Sequence, residues 1–231
     1  MDFISLDLET TGLSPKLDKI IEIGAVKYVD NEPVERFSSF VNPGRKLEER
    51  VVSLTGITDC DVEKAPKASE VVPKLLEFCG DLPLVGHRIL FDYSFVKQEA
   101  ANLKLSFEKK GVDTLKIARA CHPELESKRL GDMCKHYGIE LKAHRACNDA
   151  MATAELFFKL KDGFEEKYPE MFEPKELIYK VKKEGPASKA QLERLAKLIE
   201  RTGENCPYDL KMLSKNEASR YYDKLRAKYG M

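Results

Sequence analysis

Short apolar runs alternate with amphipathic segments over residues 1–161 of the chain. Three apolar runs come first, and two shorter runs then alternate with segments that have the spacing of amphipathic helices. Strands in succession, followed by strands alternating with helices, are typical of a mixed sheet flanked by helices, so we predict an α/β domain with a five-stranded sheet. The predicted strands are 2–8, 20–29, 34–41, 82–86 and 110–114, and the predicted helices are 68–80, 91–102, 129–137 and 146–161.

The pattern changes after residue 165. Residues 166–187 are rich in charge, contain three prolines and predict a linker. Residues 188–231 predict a pair of basic helices, because Ser188 and Ser214 each stand three residues before a Gln or Glu, as in a capping box, and apolar residues follow at helical spacing. So small a unit is marginal as an independent fold, and we expect it to dock on the domain at 1–165 or on another chain.

Composition and charge limit the possible classes of protein. The chain carries 39 basic and 39 acidic side chains, but residues 1–174 hold 25 basic and 31 acidic ones, whereas residues 175–231 hold 14 and 8. A basic region beside an acidic domain would raise the local concentration of a polyanion. No apolar run approaches the roughly 20 residues of a membrane span. Six cysteines without paired spacing suggest reduced thiols, so we expect a cytoplasmic protein that does not bind membranes.

Two acidic residues stand close together in the first predicted strand. Asp7 and Glu9 are two residues apart, so both side chains lie on one face of the strand. Two carboxylates repel each other by roughly 4 kcal/mol at about 4 Å and an effective dielectric of about 20. A cation must therefore lie beside them, and it is either a metal ion or a basic side chain, as at an ordinary solvated strand end.

Two later segments supply three more candidates. Asp92 follows a short apolar run and lies in the first turn of a predicted helix, where it is either a functional carboxylate or an ordinary cap. Asp149 lies about one turn into the predicted helix 146–161, and His144 precedes that helix. An imidazole in a loop suits a general base better than a metal ligand, although a lone histidine between charged neighbours is usually a surface residue.

These segments in combination resemble a known family. The segments DLETTGL (7–13), GHRILFD (86–92) and HRACND (144–149), in this order, resemble the three motifs of the DnaQ-like, DEDDh 3′-to-5′ exonucleases, such as the epsilon-type proofreading domain of DNA polymerase III. The connecting segments IIEIGAV, LTGIT and VDTLKIAR extend the resemblance to about residue 162. The resemblance implies a ribonuclease H-like fold, with the helical module as an addition to it.

The resemblance also implies a role for each motif residue. Four carboxylates would bind two divalent cations, and hard carboxylate oxygens favour Mg²⁺ or Mn²⁺. His144 would be the general base that takes a proton from the attacking water. The implied metal ligands are Asp7, Glu9, Asp92 and Asp149, and the implied substrate-binding residues are Glu9, Thr10, Thr11, Leu13 and His87.

Other residues near the motifs receive different interpretations. Arg88 departs from the family, which often carries Asn at this position, and the departure concerns the contacts of the loop and the substrate preference rather than the metal ligands. We expect Asp113, in the last predicted strand, to support the site or the fold rather than to bind metal. Nothing in the sequence singles out Glu22 or Asp132.

The motifs favour a metal-dependent exonuclease that releases nucleoside 5′-monophosphates from the 3′ ends of single-stranded DNA, in repair or proofreading. Two alternatives stay open. One is an enzyme that trims RNA 3′ ends, because the motifs do not fix contacts to the 2′-hydroxyl. The other is a non-catalytic nucleic-acid-binding protein. The helical module is either a packing appendage, a site for a polymerase or other protein, or an accessory nucleic-acid-binding unit in which Tyr221 stacks on bases.

Overall fold

Six strands form one mixed sheet in the order β3-β2-β1-β4-β5-β6. The computed structural model describes residues 1–141, 145–181 and 185–230. Strand β1 pairs antiparallel with β2 and parallel with β4, and β5 runs parallel to β4. The strands are β1 (Phe3–Thr10), β2 (Ile20–Val29), β3 (Glu32–Phe40), β4 (Leu84–Gly86), β5 (Lys110–Asp113) and β6 (Lys175–Glu176).

Helices cover both faces of the sheet. Within the described ranges they are α1 (Glu49–Thr55), α2 (Asp59–Val62), α3 (Ala68–Cys79), α4 (Leu90–Asn102), α5 (Thr114–Cys121), α6 (Leu130–Tyr137), α7 (Ala146–Phe164), α8 (Pro169–Phe172), α9 (Lys189–Thr202) and α10 (Lys215–Tyr229). Residues of α3 and α4 pack in a core on one face, and residues of α5, α6 and α7 pack in a core on the other. The predicted α/β architecture is confirmed.

The prediction of five strands is wrong, because a sixth strand forms inside the segment 166–187. This strand, β6, has only two residues, both exposed, and pairs antiparallel with β5. Two charged, exposed residues have no apolar periodicity that a sequence pattern could reveal. Leu177 follows directly, and its amide donates a hydrogen bond of 2.9 Å to the carbonyl oxygen of Lys109, which extends the contact at this edge of the sheet.

The two faces of β1 differ in chemistry. Ile4, Leu6 and Leu8 point into the core shared with α3 and α4. The alternate residues point towards α7, and they begin with the buried Phe3 and continue with polar side chains. The sheet therefore presents a polar strip, towards the carboxyl end of β1, to the helix α7.

The carboxy-terminal module has a core of its own and docks on the α/β domain. Both predicted capping boxes, which begin at Ser188 and Ser214, are formed. The amide of Asp209 donates to the carbonyl oxygen of Gly44, and the amide of Lys46 donates to that of Pro207, each at 2.7 Å. Of the two docking partners that we considered, the structure thus shows the α/β domain of the same chain.

Tyr221 is not available for base stacking, which was one of the alternatives for the helical module. Its side chain is buried in the core of the module, and its ring meets that of Tyr208 edge to face, with centroids 4.7 Å apart. The next residue, Tyr222, is partly exposed and packs against the edge of the same core, while Ala218 and Leu225 of the same helix are buried. Among the described residues, no helix is both long and apolar enough to cross a membrane.

Candidate metal site

Three carboxylates meet at the carboxyl end of β1. Ligand atoms of Asp7, Glu9 and Asp149 all lie within 4.8 Å of one another. Asp7 and Glu9 share the face of β1 that is turned towards α7, because side chains alternate along a strand. The structure therefore brings three of the four predicted metal ligands into one cluster.

The close approach of α7 to the sheet explains the position of Asp149. Gly24 of β2 pairs with Asp7, and a Cβ atom at Gly24 would lie only 2.0 Å from the carbonyl carbon of Ala146. One turn later, the hydroxyl of Ser5 donates a hydrogen bond of 2.6 Å to the carbonyl oxygen of Ala150. Small residues on both sides of this contact thus hold the first turns of α7 against β1.

Asp92, the fourth predicted ligand, is held next to the cluster by the backbone of β1. Its Oδ1 atom accepts a hydrogen bond of 3.1 Å from the amide of Leu8, the residue between Asp7 and Glu9. Asp92 lies in the first turn of α4 and is only 3% exposed. Its charge also raises the pKa of Asp7, so the two carboxylates are close enough to repel each other. The side chain is therefore more than a helix cap.

The acidic side chains disfavour one another's charged forms. Burial raises the pKa of Asp7 well above its ordinary value, and the neighbouring carboxylates raise it further. Burial and the charges of Asp149 and Glu22 raise the pKa of Glu9 to about 7. A divalent cation would offset this repulsion, and carboxylate oxygens are the donors that Mg²⁺ and Mn²⁺ prefer. The donor set therefore fits a divalent cation.

Glu22 belongs to this acidic group, although the sequence did not single it out. It pairs with Glu9 across β1 and β2, is 4% exposed, and accepts a hydrogen bond of 3.3 Å from the amide of Ala146 at the start of α7. The positive end of a helix stabilises a carboxylate in this position. A charged residue inside the apolar run IIEIGAV was the one signal that could have drawn attention to it.

Arg145 supplies positive charge at the same edge. It immediately precedes α7, and its Nη1 atom donates to the carbonyl oxygen of Thr55 at 3.3 Å. Its charge lowers the pKa of Glu9 and of Glu22, although burial outweighs this effect at both residues. Arg145 thus compensates part of the acidic charge but does not cancel it.

His144, the predicted general base, lies outside the described residues. The described chain resumes at Arg145, directly before α7. The role of His144 stays a prediction.

The turn after β1 holds the predicted substrate-binding residues. The Thr10 hydroxyl donates to the carbonyl oxygen of Gly12 at 2.7 Å, and the buried Thr11 hydroxyl accepts hydrogen bonds from the amide of Lys19 and from Arg45. Leu13 follows with 79% of its surface exposed. The structure thus places an anchored turn and an exposed apolar side chain next to the acidic cluster.

His87 is tied into the protein through both ring nitrogens. Nδ1 lies 2.9 Å from the Thr114 hydroxyl oxygen, and Nε2 lies 2.7 Å from the carbonyl oxygen of Lys128. Burial lowers the pKa of His87, which favours the neutral ring. Only the carbon atoms of the ring are left to contact a substrate.

Asp113 has a structural role, as expected. Its Oδ1 atom accepts hydrogen bonds from the amides of Leu115 and Lys116 in the first turn of α5, and also from the amide of Arg88 at 2.9 Å. These bonds cap the helix and fasten the loop that follows β4. They account for the carboxylate without a metal ion.

Comparisons with known proteins agree with this geometry. The sequence model of the RNase_T exonuclease family matches residues 4–157. The chain is 42% identical over 171 residues to a PolC-type DNA polymerase III from Clostridium perfringens and 41% identical over 168 residues to one from Bacillus subtilis. These matches cover 74% and 71% of the chain but only 12% of each polymerase. The chain thus spans a small part of the length of these relatives.

Solved structures show the same fold. Exonuclease X in complex with 5′ overhanging duplex DNA has a TM-score of 0.58 and 23% identity, and the match covers 74% of this chain and 99% of that one. Exonuclease I of E. coli in complex with a dA16 oligonucleotide has a TM-score of 0.63 and 22% identity, and the match covers 74% of this chain and 42% of that one. The predicted ribonuclease H-like fold is thereby confirmed.

Proposed function

Since the chain belongs to the RNase_T exonuclease family, we propose that it removes nucleotides from the 3′ end of single-stranded DNA and releases nucleoside 5′-monophosphates. The family membership confirms the predicted enzyme class. The observation that carries the proposal is the cluster of Asp7, Glu9 and Asp149 within 4.8 Å, with Asp92 hydrogen-bonded to the strand between the first two.

In this proposal Asp7, Glu9, Asp92 and Asp149 hold two divalent cations, Mg²⁺ or Mn²⁺. When bound, these ions activate water and neutralise charge on the reacting phosphate and on the leaving oxygen. The protein contributes the rigid positions of the four side chains. The alternation of side chains along β1 places Asp7 and Glu9 on one face. The Leu8 amide holds Asp92, and the close packing of α7 against the sheet positions Asp149.

His144 is the proposed general base. It accepts a proton from the water whose oxygen bonds to the phosphorus, and the bond between the phosphorus and the 3′-oxygen of the preceding nucleotide breaks. That oxygen takes up a proton and becomes the new 3′-hydroxyl. The products are one nucleoside 5′-monophosphate and a strand that is shorter by one nucleotide.

The turn after β1 is the proposed site of the 3′-terminal nucleotide. Glu9 and the backbone of Thr10 and Thr11 would contact its 3′-hydroxyl, and the exposed side chain of Leu13 would pack beside its base. An apolar side chain at the surface gains by covering a base, whose faces are apolar. His87 would contribute only the side of its ring, since both nitrogens have partners within the protein.

DNA is favoured over RNA because the relatives with more than 40% identity are DNA polymerases. A polymerase is for the same reason the favoured protein partner, and we propose that it would bind the module at 188–231, which follows a linker at 166–187 and an exonuclease domain at 1–165. The alternative is an enzyme that trims RNA 3′ ends.

The polarity and the preferred sugar can be determined in one experiment. Single-stranded DNA and RNA oligonucleotides of the same sequence, labelled at the 5′ end, would be incubated with the protein in Mg²⁺ or Mn²⁺. We expect the DNA to shorten in single-nucleotide steps from its 3′ end, and we expect no shortening in EDTA or with Asp7→Ala. A ladder from RNA alone would select the alternative, and intact strands that remain bound would contradict the enzyme.

A further inference from the structure

A cavity with basic walls lies beside the acidic cluster. It has a volume of about 820 Å³ and opens next to the loop after β4 and the loop between α5 and α6. Four basic side chains line it, Arg88, Arg119, Lys128 and Arg129, together with two acidic ones, Glu126 and Asp132. The excess of positive charge contrasts with the acidic character of the rest of this domain.

The four basic side chains have no acidic partner among the described residues. None of them forms an ion pair there, and the side chains of Arg88, Arg119 and Arg129 are exposed. Of the two acids in the cavity wall, Asp132 accepts a hydrogen bond from the hydroxyl of Ser127. The positive charge is therefore available to an anion from solution.

The protein holds parts of this wall in fixed positions. Lys128 is anchored at both ends, because its carbonyl oxygen bonds to His87 and its Nζ atom donates to the carbonyl oxygen of Leu125. Arg88 has a left-handed backbone with φ of 74°, and its amide is bonded to Asp113.

The backbone conformation of Arg88 is energetically unfavourable for an arginine. A left-handed conformation is unfavourable for most residues by roughly 1–2 kcal/mol, and Asn adopts it more easily. Arg adopts the left-handed conformation less easily than Asn does, but it supplies a guanidinium group. This group lies 5.7 Å from the ring centroid of Phe91. Strained residues of this kind are often functional.

The cavity continues the edge of the sheet that holds the carboxylates. Ser5 pairs with Val85 and Gly86 pairs with Asp113, so the parallel strands β1, β4 and β5 end at one edge. Neighbouring strands are about 4.8 Å apart, which places β5 about 10 Å from β1. Phe91, beneath the guanidinium of Arg88, is followed directly by Asp92.

We propose that this basic cavity binds backbone phosphates of the DNA strand whose 3′ end occupies the acidic site. The inference rests on the proposed function and adds the path that the strand takes across the protein. The phosphates would pair with Arg88, Arg119, Lys128 and Arg129 on the side of the site that faces β5. Contacts to phosphate carry affinity without reading the base sequence.

The test measures binding rather than cleavage. A single-stranded DNA 12-mer would be titrated with full-length Asp7→Asn protein in Mg²⁺ at several salt concentrations, with and without the substitutions Arg119→Gln and Arg129→Gln. Each phosphate contact contributes about 0.7 to the slope of log affinity against log salt for single strands, so the two substitutions should lower the slope by about 1.4. A control with Arg36→Gln and Arg50→Gln removes two exposed arginines elsewhere and should leave the slope unchanged.

A change in the opposite direction guards against loss of folding. Glu126→Lys adds a cation to the same wall and should raise the slope by about 0.7. An unchanged slope in both cavity variants would overturn the proposal. So would weaker binding of a nucleoside 5′-monophosphate with unchanged binding of the 12-mer, since the cavity would then be a product site. If the wild-type protein failed to cut DNA while these slopes still changed, the proposed function would be wrong and the phosphate site would stand.

Discussion

At the scale of single residues, the site is a group of buried carboxyl groups, each of which makes ionisation of its neighbours less favourable. Asp7, Glu9 and Asp92 all have a raised pKa, because burial and mutual repulsion penalise the carboxylate form. When these carboxyl groups are ionised, they lower the stability of the metal-free folded protein. A bound cation would instead stabilise the ionised carboxylates. The acidic group is therefore evidence for a ligand of positive charge rather than for stability.

This arrangement predicts how stability depends on pH. Glu9 titrates near pH 4.5 when unfolded and at about pH 7 when folded, so the folded protein binds more protons between these values. In EDTA the melting temperature should fall as pH rises from about 5 to 8, and Mg²⁺ should recover most of the loss at pH 8. In Asp7→Asn, which lacks one of the repelling charges, the fall should be smaller. A melting temperature in EDTA that rose with pH over this range would contradict the account.

Residue-scale reasoning from the sequence found the four carboxylates because their motifs are contiguous and stand at the ends of apolar runs. It missed Glu22, whose role depends on the register that places it opposite Glu9. It also offered Tyr221 as a surface residue, whereas the contact of its ring with Tyr208 keeps it in the core of the module. The contacts of a single side chain depend on partners that are distant in sequence.

At the scale of elements, the site depends on how closely α7 approaches the sheet. Gly24 is the residue that permits this approach, since the backbone of α7 occupies the space that any side chain would need. The helix carries Asp149, and any displacement of the helix moves that carboxylate away from Asp7 and Glu9. A small change on β2 should therefore displace a carboxylate of the acidic cluster that another element carries.

Gly24→Ala tests this dependence. A new Cβ atom 2.0 Å from the Ala146 carbonyl carbon must push α7 outwards, so we expect a loss of stability of about 1–3 kcal/mol and a large loss of Mg²⁺-dependent nuclease activity. Gly163→Ala is a matched control, because no atom lies within 4 Å of its Cβ position and Ala favours a helix. The measurements are the melting temperature and the nuclease rate of both variants. Equal melting temperatures and equal rates in Gly24→Ala and Gly163→Ala would contradict the role of Gly24.

The carboxy-terminal module is joined to the site through one buried carboxylate. Glu217, 8% exposed, lies 3.5 Å from Lys19 and 4.0 Å from Arg45. Arg45 in turn donates to the hydroxyl of Thr11, in the turn that follows β1. The start of α10 thus contacts the side chains of two residues that hold this turn, Arg45 through its guanidinium group and Lys19 through its backbone.

Glu217→Gln should loosen the contact between module and domain. Gln can still accept the capping hydrogen bond from Ser214, but the charge beside Lys19 and Arg45 is lost, and we expect about 1–2 kcal/mol of destabilisation together with a lower kcat. Glu204→Gln is the control, since Glu204 pairs with Lys228 inside the module. Restored kcat in Glu217→Asp would support a positioning role, whereas a kcat equal to that of the control would exclude it.

At the scale of the whole molecule, the sequence predicted the long elements well and missed several of the short ones. Strands β1 to β3 and helices α3, α4 and α7 were expected within a few residues of their observed bounds, because each has a clear apolar period. Helices α1 and α2, with 7 and 4 residues, and the two-residue β6 were missed because they are too short to show a period. The motifs contain the carboxylates that the fold brings together, but the contact of the module with the domain depends on packing that no local pattern records.

The whole molecule therefore combines an exonuclease-family domain with a docked helical module and a cavity lined by basic side chains. This organisation explains how a chain with equal numbers of acidic and basic residues can attract a polyanion, because the opposite charges lie in different places.

The most direct test of the central claim is the rate at which the protein releases nucleoside 5′-monophosphates from single-stranded DNA in Mg²⁺, measured for wild type, Asp149→Asn and Asp162→Asn. Both substitutions remove one carboxylate from α7, but Asp149 lies in the acidic cluster and Asp162 is exposed at the other end of the helix. We expect Asp162→Asn to match wild type and Asp149→Asn to lose about 100-fold or more of the rate. An Asp149→Asn protein that released monophosphates at the wild-type rate would contradict the account.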